Sequence, residues 1–463
     1  MPVIRTDSFT PDFSVPVVII GAGACGLTAA IAAKRAGAEV IVLERDAHPA
    51  GSTAMSYGGI CAAGTQAQDR AGISDTGDAL REDIMTVTRG QTDPDLARTI
   101  AANCGPAVDW LTGDLGLDLQ VETHWTGLGH RQPRLHMPPG RSGEVLMGML
   151  LRAAEAAGVD ILTRARVTDL YADADDRILG VRIERPDSVE LLGCDQLVLA
   201  SCGFGANEDL VARHMPELDG ACYYGHEGNE GDALLWGEAL GAATGDLGSY
   251  QALGSLSDPE SIVVPHTLLI GGGVQVNTDG KRFEDELDDI SGQALTILKQ
   301  PGGVCWVVYD DRLHKQALDI FDEYREGDKI NAYRTAGTWR DLAALMHVPA
   351  DTLDATMTHI EGLKAAGSTD DFGRPFAPEQ ALVPPFYAVK VTGALFHTQG
   401  GLCVDGTARV VRPDGSTFPN LYAGGGAARS VSGPSVWGYL PGMGLCTAVT
   451  LGKLAGETAA HAL

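Results

Sequence analysis

The stretch that most constrains the fold lies near the start of the chain, at residues 16–45 (PVVIIGAGACGLTAAIAAKRAGAEVIVLER). Two short apolar runs, Val17 to Ile20 and Val40 to Leu43, predict buried parallel strands. Between them three glycines open an alanine-rich helix: Gly21, Gly23 and Gly26. These glycines permit a tight turn, close approach of the backbone to a pyrophosphate, and close packing of helix on strand. The stretch therefore predicts a dinucleotide-binding βαβ unit.

The acidic residue at the end of the second run completes this pattern. Glu44 follows Leu43 directly, where a carboxylate can accept hydrogen bonds from a ribose. The free N–H groups and the dipole at the start of the helix favour a phosphate group. We therefore expect a ligand with an ADP moiety at this site.

Charge and composition exclude several classes of protein. The net charge of −27 over 463 residues would repel nucleic acid and anionic membranes. The chain has no apolar run long enough to cross a bilayer, and its first residues lack a signal-peptide pattern. Its 9 cysteines are scattered without CxxC spacing, so no metal, iron–sulfur or haem site is expected. These features predict a cytoplasmic protein with no membrane span and no nucleic-acid partner.

The distribution of strand, glycine, proline and helix patterns along the chain predicts two domains, one of which is discontinuous. Strand and glycine patterns dominate residues 1–246 and return at 386–463, which we assign to a nucleotide-binding domain. Residues 247–385 carry prolines, short strands and amphipathic helices at 312–324, 338–346 and 354–366, which indicates an inserted α+β domain. Helices are also expected at about 142–157 and at 443–459.

Seven motifs, in this order, resemble those of one flavoprotein superfamily: VVIIGAGACGLTAA, GSTAMSYGGI, LVLASCGFG, NEGDALLWGEALGA, GKRFEDE, LFHTQGGL and NLYAGGG. The superfamily contains fumarate reductases, succinate dehydrogenases, aspartate oxidases and 3-ketosteroid dehydrogenases. The resemblance covers nearly the whole chain and implies FAD as the dinucleotide. It also implies an α/β fold, with a Rossmann-like FAD-binding domain of the glutathione-reductase type and an inserted α+β capping domain. The expected chemistry is oxidation or reduction of a carbon–carbon bond.

The resemblance also implies which residues contact the cofactor. Members that attach flavin covalently carry a histidine near the position of Ser52, so we expect non-covalent FAD here. The expected FAD contacts are Gly21, Gly23, Ala24, Gly26, Glu44, Arg45, Ser52, Thr53, Ser56, Gly58, Gly59, Val167, Ala200, Gly203, Asp232, Gly425, Gly442 and Leu445.

On the substrate side, this chain matches fumarate reductases only in part. His136 and His397 match their two substrate-side histidines, and Glu286 matches their acidic proton-relay position. Their arginines are missing: Ile290 and His314 occupy two of the positions, and the segment 434–437 (PSVW) holds no third. Because a dicarboxylate needs bidentate arginines, these differences argue against fumarate or succinate as the substrate.

The segment WGYLPGMG (437–444) resembles instead the GYxxG region of 3-ketosteroid desaturases. This resemblance implies that the Tyr439 hydroxyl and the N–H of Gly442 or Gly444 hold a substrate carbonyl oxygen. The tyrosine base of Δ1-ketosteroid dehydrogenases would fall at Ile290, so the proton-transfer group stays open. We rank His314 first, ahead of Tyr309, Asp288 and the two site histidines.

A basic cluster is unusual in so acidic a chain: His130, Arg131, Arg134 and Arg141. It could anchor one carboxylate of a substrate or neutralise reduced flavin. Salt bridges to acidic residues are the alternative.

The leading hypothesis is therefore an FAD-dependent dehydrogenase acting on a CH–CH bond α,β to a carbonyl, with a ketosteroid-like ketone or cyclic keto acid as substrate. The main alternative is an ene-reductase of an unsaturated monocarboxylate. An amine or amino-acid oxidase and a redox-inactive flavin-binding protein are further alternatives. No second nucleotide motif is visible, so the electron donor or acceptor stays open.

Overall fold

The computed structural model describes residues 2–463. Its strands, in chain order, are β1 (Val3–Arg5), β2 (Phe13–Ser14), β3 (Val17–Ile20), β4 (Val40–Leu43), β5 (Ile60–Cys61), β6 (Gln120–Val121), β7 (Leu135–Met137), β8 (Asp160–Leu162), β9 (Arg166–Ala172), β10 (Ile178–Glu184), β11 (Val189–Gly193), β12 (Gln196–Leu199), β13 (Cys222–Tyr223), β14 (Thr244–Gly245), β15 (Tyr250–Ser257), β16 (Val274–Val276), β17 (Val304–Asp310), β18 (Arg334–Ala336), β19 (Phe386–Thr398), β20 (Gly401–Leu402), β21 (Arg409–Val411) and β22 (Thr417–Ala423).

The α-helices, in the same order, are α1 (Ala24–Arg35), α2 (Gly51–Ala54), α3 (Gln66–Arg70), α4 (Gly77–Val87), α5 (Pro94–Asp109), α6 (Gly143–Ala156), α7 (Glu208–His214), α8 (Asp232–Leu240), α9 (Thr267–Ile270), α10 (Gln293–Leu298), α11 (Asp311–Ile320), α12 (Asp322–Lys329), α13 (Trp339–Met346), α14 (Ala350–Ala366) and α15 (Met443–His461). Among the helices of residues 2–463, none combines the length and apolar character needed to cross a bilayer.

The chain divides into two compact units. The first contains the residues up to Pro216, Gly225–Tyr250 and His397–Leu463, and the second contains Glu217–Tyr224 and Gln251–Phe396. These units differ from the ranges expected from sequence, 1–246 with 386–463 and 247–385. Strand β19 pairs with β17 over its first half and with β13 further on, and these hydrogen bonds place most of it in the second unit.

The first unit is built on a six-stranded sheet in the order β21-β22-β12-β3-β4-β8. All neighbours are parallel except β21 with β22. Strand β3 is completely buried between β12 and β4, as its unbroken apolar run requires. Strands β3 and β4 have the bounds predicted from sequence. Two further sheets, β1-β9-β10-β11-β2 and β5-β7-β6, belong to the same unit.

Two helices of the first unit pack unusually closely. A Cβ at Gly456 of α15 would overlap the Ala29 carbonyl of α1, and one at Gly452 would meet the Cys25 carbonyl oxygen at 2.5 Å. Glycine at both positions lets the two backbones approach each other. The start of α15 and the turn that precedes α1 line the same cleft.

The second unit has its own sheet and core. Its strand order is β13-β19-β17-β16, with β15 and β18 also paired to β19. The predicted helix at 312–324 is two helices, α11 and α12, because Phe321 between them adopts an extended conformation (φ −116°, ψ 115°). The side chain of Phe321 packs against the core of this unit.

Candidate active site

The turn between β3 and α1 forms the floor of a cleft in the first unit. Gly21 has a φ of +103°, and a Cβ there would press against the Ala200 carbonyl. A Cβ at Gly26 would overlap the carbonyl oxygen of Gly21. Helix α1 begins at Ala24, whose N–H donates to Thr53 Oγ1 at 3.0 Å. Gly21 and Gly26 therefore permit the tight turn and the close packing that the sequence predicts.

Glu44 is fixed at the wall of this cleft by two backbone groups. The N–H of Ala22 donates to Oε2 and the N–H of Asp46 donates to Oε1, both at 2.9 Å. An ionised carboxylate has about four acceptor positions, so two bonds leave capacity for ribose hydroxyls. The geometry supports the predicted role of Glu44.

Most of the predicted cofactor contacts line the cleft: Gly21, Gly23, Ala24, Glu44, Arg45, Ser52, Thr53, Ser56, Val167, Ala200, Asp232, Gly425 and Leu445.

The other predicted contacts do not line it: Gly26, Gly58, Gly59, Gly203 and Gly442. Each of these glycines allows close packing of two segments. A Cβ at Gly203 would overlap Thr398 Oγ1, and one at Gly442 would overlap Leu135.

Several cleft residues were missed from sequence. The hydroxyls of Ser201 and Ser430 are buried there, and neither has a hydrogen-bond partner in the part of the chain that the structure describes. Asn229 lies within a recognised motif and donates to Ser52 Oγ at 2.8 Å. Ser430 lies outside every motif, so no sequence signal marks it. Unpaired hydroxyls, the helix N-terminus and Glu44 together fit a dinucleotide.

His397 and Gly444 line the cleft, and Tyr439 lies beside them. The His397 and Tyr439 rings meet edge to face, with centroids 5.9 Å apart. Burial lowers the pKa of His397 to about 4 and raises the pKa of Tyr439 to about 12. A Cβ at Gly444 would lie 3.2 Å from His397 Cε1. The structure thus brings together two side chains that are neutral at pH 7, next to the N-terminus of α15.

His136, predicted as the second substrate-side histidine, is placed differently. Its ring is fully buried, and neither nitrogen is free. Nε2 lies 2.8 Å from Thr65 Oγ1, and Nδ1 lies 2.9 Å from the Arg134 carbonyl oxygen. Burial lowers the pKa of His136, which keeps it neutral. These contacts are those of a structural histidine, and His136 does not line the cleft.

The basic cluster forms salt bridges. Arg134 is completely buried and binds Asp75 and Asp83, and Arg131 binds Asp83 as well. Arg141 pairs with Glu122. The two arginines hold the pKa of Asp83 below its usual range against the opposing effect of burial. A His130 ring nitrogen lies 3.0 Å from the Pro441 carbonyl oxygen. Of the two alternatives left open by the sequence, the structure supports the salt bridges.

Replacing Arg134 with methionine is expected to lower the free energy of unfolding by about 3–5 kcal/mol, because it leaves two buried carboxylates without their cation. The matched control is Arg98→Met, which breaks a pair exposed at 66% and 78% and should cost at most about 1 kcal/mol. Urea unfolding followed by circular dichroism measures both. Equal losses in the two variants would contradict the structural role of Arg134.

Comparisons with known proteins agree with this geometry. A family model described as an FAD binding domain matches residues 16–445. A probable fumarate reductase of Shewanella frigidimarina is 31% identical over 457 residues, which cover 98% of this chain and 76% of that relative. The chain belongs to the FAD-binding flavoproteins of the fumarate reductase and succinate dehydrogenase superfamily. It is therefore an FAD-dependent oxidoreductase acting on CH–CH groups, which disfavours the redox-inactive alternative.

Solved structures confirm the predicted fold. The open form of a flavocytochrome c3 fumarate reductase matches this flavoprotein with a TM-score of 0.84 and 30% identity, covering 98% of this chain and 79% of that one. A 3-ketosteroid Δ4-(5α)-dehydrogenase from Rhodococcus jostii matches with a TM-score of 0.76 and 24% identity, over 99% of both chains. This second likeness shows the fold alone, so the predicted ketosteroid branch is not established.

A further relative is a dehydrogenase of a cyclic keto acid. The 4-oxocyclohexanecarboxylate 2-dehydrogenase of Sinomonas cyclohexanicum is 28% identical, over 97% of this flavoprotein and 94% of that enzyme. The relatives thus include both reductases and dehydrogenases.

In the second unit of this flavoprotein, Glu286 is the centre of a buried ion-pair network. Its carboxylate accepts hydrogen bonds from Arg282, Arg374 and the Gln275 N–H. The two arginines hold its pKa below the usual value although burial opposes them. A carboxylate held by these donors is suited to stabilising the unit. A proton-relay role for Glu286 stays a prediction that this geometry does not favour.

His314, the first-ranked candidate for proton transfer, lies in an aromatic cluster of the second unit. Nδ1 is 2.9 Å from Tyr324 Oη, and Nε2 is 3.3 Å from Asp328 Oδ1. Tyr309, another candidate, is buried and its hydroxyl contacts Tyr324 Oη at 2.6 Å. Asp288 is exposed. Residues 2–463 contain no group of three or more His, Cys, Asp or Glu side chains placed to hold a metal ion.

Proposed function

We propose that this flavoprotein reduces the carbon–carbon double bond of an α,β-unsaturated monocarboxylate or carbonyl compound, and that fumarate is not its substrate. The observation that carries the proposal is the neutral pair of His397 and Tyr439 at the N-terminus of α15. The two arginines that line the cleft, Arg45 and Arg166, both pair with Glu230. A dicarboxylate would need cationic clamps at both ends.

The two side chains have a defined chemical task in this proposal. Bound FAD would supply the hydride, and a proton that comes ultimately from water would add to the α-carbon and complete the reduction. As the β-carbon accepts the hydride, negative charge develops on the conjugated oxygen of the substrate. Tyr439 and His397 donate hydrogen bonds to that oxygen, and the positive end of the α15 dipole adds to their effect. Neutral donors in a buried site stabilise the developing charge without attracting a fully charged dicarboxylate.

The mode of FAD attachment belongs to the same proposal. Ser52 stands where the resemblance places the histidine of covalent members, and its hydroxyl accepts a hydrogen bond from Asn229. This supports non-covalent FAD. Acid precipitation of the purified protein should leave the yellow colour in the supernatant. A yellow pellet would contradict non-covalent binding.

The reductive direction is supported by the named fumarate reductase relative. The opposite direction, desaturation of a ketone or cyclic keto acid, is the second candidate. One observation favours it: the same neutral donors also stabilise an enolate formed when a saturated ketone loses its α-proton. The 4-oxocyclohexanecarboxylate dehydrogenase relative is consistent with it.

Anaerobic titration of the flavin absorbance tests both candidates. Dithionite-reduced enzyme is mixed with unsaturated monocarboxylates, enones and fumarate. Oxidised enzyme is mixed with cyclic ketones, 3-ketosteroids, keto acids and succinate. We expect a monocarboxylate or an enone to reoxidise the flavin, and fumarate to do so at least about a hundredfold more slowly.

Each result decides between the candidates. Bleaching of oxidised flavin by a saturated ketone, without reoxidation by any unsaturated compound, would replace the reductase proposal with the desaturase. Rapid turnover of fumarate or succinate would overturn the argument from the missing arginines.

A further inference from the structure

We infer that Gln399 is a positioning residue that holds His397 in the Nε2–H tautomer, so that the imidazole presents a hydrogen-bond donor to the cleft. The effect on turnover rests on the proposed function, whereas the tautomer itself does not. The inference rests on three side chains of the first unit that are linked in series by hydrogen bonds: Ser432, Gln399 and His397.

The Gln399 side chain is buried and bonded at both ends. Its exposed fraction is 3%. Its Nε2 lies 3.2 Å from His397 Nδ1, and the Ser432 hydroxyl lies 3.1 Å from its Oε1. The backbone is fixed too, because the N–H of Gln399 donates to Ser249 O and its carbonyl accepts from Ser430 N, both at 2.8 Å. The amide is therefore held firmly beside the imidazole.

Ser432 decides which way this amide points. Its side chain is 2% exposed, and within residues 2–463 its hydroxyl has Gln399 Oε1 as its hydrogen-bond partner. In this orientation the hydroxyl proton is used and the Gln399 NH2 group faces Nδ1. In the flipped orientation the NH2 group would face Ser432, and the buried hydroxyl proton would have no acceptor. Unpaired buried donors are strongly disfavoured, so the first orientation is preferred.

The orientation of the amide fixes the tautomer. An imidazole nitrogen that accepts a hydrogen bond carries no proton, so Nδ1 is unprotonated. Burial keeps the ring neutral, since it lowers the pKa of His397 to about 4. The single ring proton then resides on Nε2, which has no hydrogen-bond partner among the described residues. The competing acceptor for an Nδ1 proton, the Thr398 carbonyl oxygen, is more distant at 3.4 Å.

The consequence for catalysis is specific. With the proton on Nε2, His397 can donate to the substrate oxygen on which charge develops, next to the Tyr439 hydroxyl. With the proton on Nδ1, His397 would present a lone pair to that oxygen and repel it. Ser432 lies outside the cleft lining, and Gln399 lines the cleft beside His397. In this account both act by orienting His397.

The test reads the tautomer directly, by 15N NMR of histidine-labelled holoenzyme, with the His397 signals assigned from a His397→Asn variant. We expect the wild type to show Nε2 protonated and Nδ1 unprotonated. In Gln399→Glu a carboxylate replaces the donor, so the proton should move to Nδ1 and the His397 pKa should rise. Ser432→Ala should give a mixture of tautomers, and Ser432→Thr, which keeps the hydroxyl, should restore the wild-type signals.

Kinetics provide the second readout. Gln399→Glu should lower kcat by at least about tenfold with a much smaller change in KM, because the lost donor acts on the developing charge. The matched control is Gln196→Met: Gln196 is also 3% exposed, and its amide donates to the Ala462 carbonyl far along the chain. This variant should leave both the His397 signals and kcat unchanged.

The inference fails if wild-type His397 is protonated at Nδ1, or if Gln399→Glu and Ser432→Ala both leave its 15N shifts unchanged. The wild-type spectrum decides even if a variant does not fold. If the tautomer is as expected and no compound is turned over, the proposed function fails and the tautomer assignment stands.

Discussion

Replacing Gly26 with alanine is expected to abolish FAD binding and to lower the free energy of unfolding by at least about 2 kcal/mol. The added Cβ would overlap the carbonyl oxygen of Gly21, so the turn and α1 cannot both keep their positions. The turn is the predicted cradle for the pyrophosphate of FAD, so its displacement should remove the binding site. The ratio of flavin to protein absorbance after purification measures the first effect, and urea unfolding measures the second.

The control is Gly362→Ala, the same glycine-to-alanine change in another helix. Gly362 lies within α14, where a Cβ would meet no atom within 4 Å. Alanine there should stabilise the helix by about 1 kcal/mol through helix propensity alone. The same substitution is thus expected to have opposite signs at the two positions. A Gly26→Ala variant that keeps its flavin and its stability would contradict the steric role of this glycine.

The dinucleotide unit could be predicted from sequence because its signals are local. The strand bounds of β3 and β4 follow from uninterrupted apolar runs, and Gly21 and Glu44 stand at fixed spacing from them. The start of α15 is equally local, since it follows a glycine, Gly442, with a φ of +80°. Patterns of this kind depend on a few consecutive residues and need no knowledge of tertiary contacts.

The roles of single polar residues could not be predicted, because their partners lie far away in the chain. Arg134 is a buried ion-pair residue only because Asp75 and Asp83 fold against it. His136 occupies a family position, yet Thr65 and a backbone carbonyl use both its nitrogens. A histidine or arginine in a motif does not reveal these contacts.

The limits of the two compact units also depend on contacts between residues that are distant in sequence. Strand β19 begins directly after a proline-rich segment, and its own sequence does not show which sheet it joins. Pairing with β17 and β13, both distant in sequence, assigns it to the second unit.

Replacing Tyr439 with phenylalanine is expected to lower kcat by about 10²–10³-fold on the substrate found by flavin titration, the usual effect of losing one donor to a developing oxyanion. FAD content should stay unchanged, because the hydroxyl is expected to act on substrate oxygen. The matched control is Tyr422→Phe, which removes a buried hydroxyl that has no partner within the described residues and should leave kcat unaltered.

The pH profile separates a hydrogen-bond donor from a proton-transfer group. The pKa of Tyr439 is raised to about 12 and that of His397 is lowered to about 4, both through burial. Both side chains therefore keep one protonation state across the intervening range, and neither should cause an inflection in kcat between about pH 5 and pH 10. Tyr439→Phe should accordingly lower the whole profile without changing its shape. Loss of an inflection in this variant would instead identify Tyr439 as the group that transfers the proton, and the carbonyl-binding role proposed for it would be wrong.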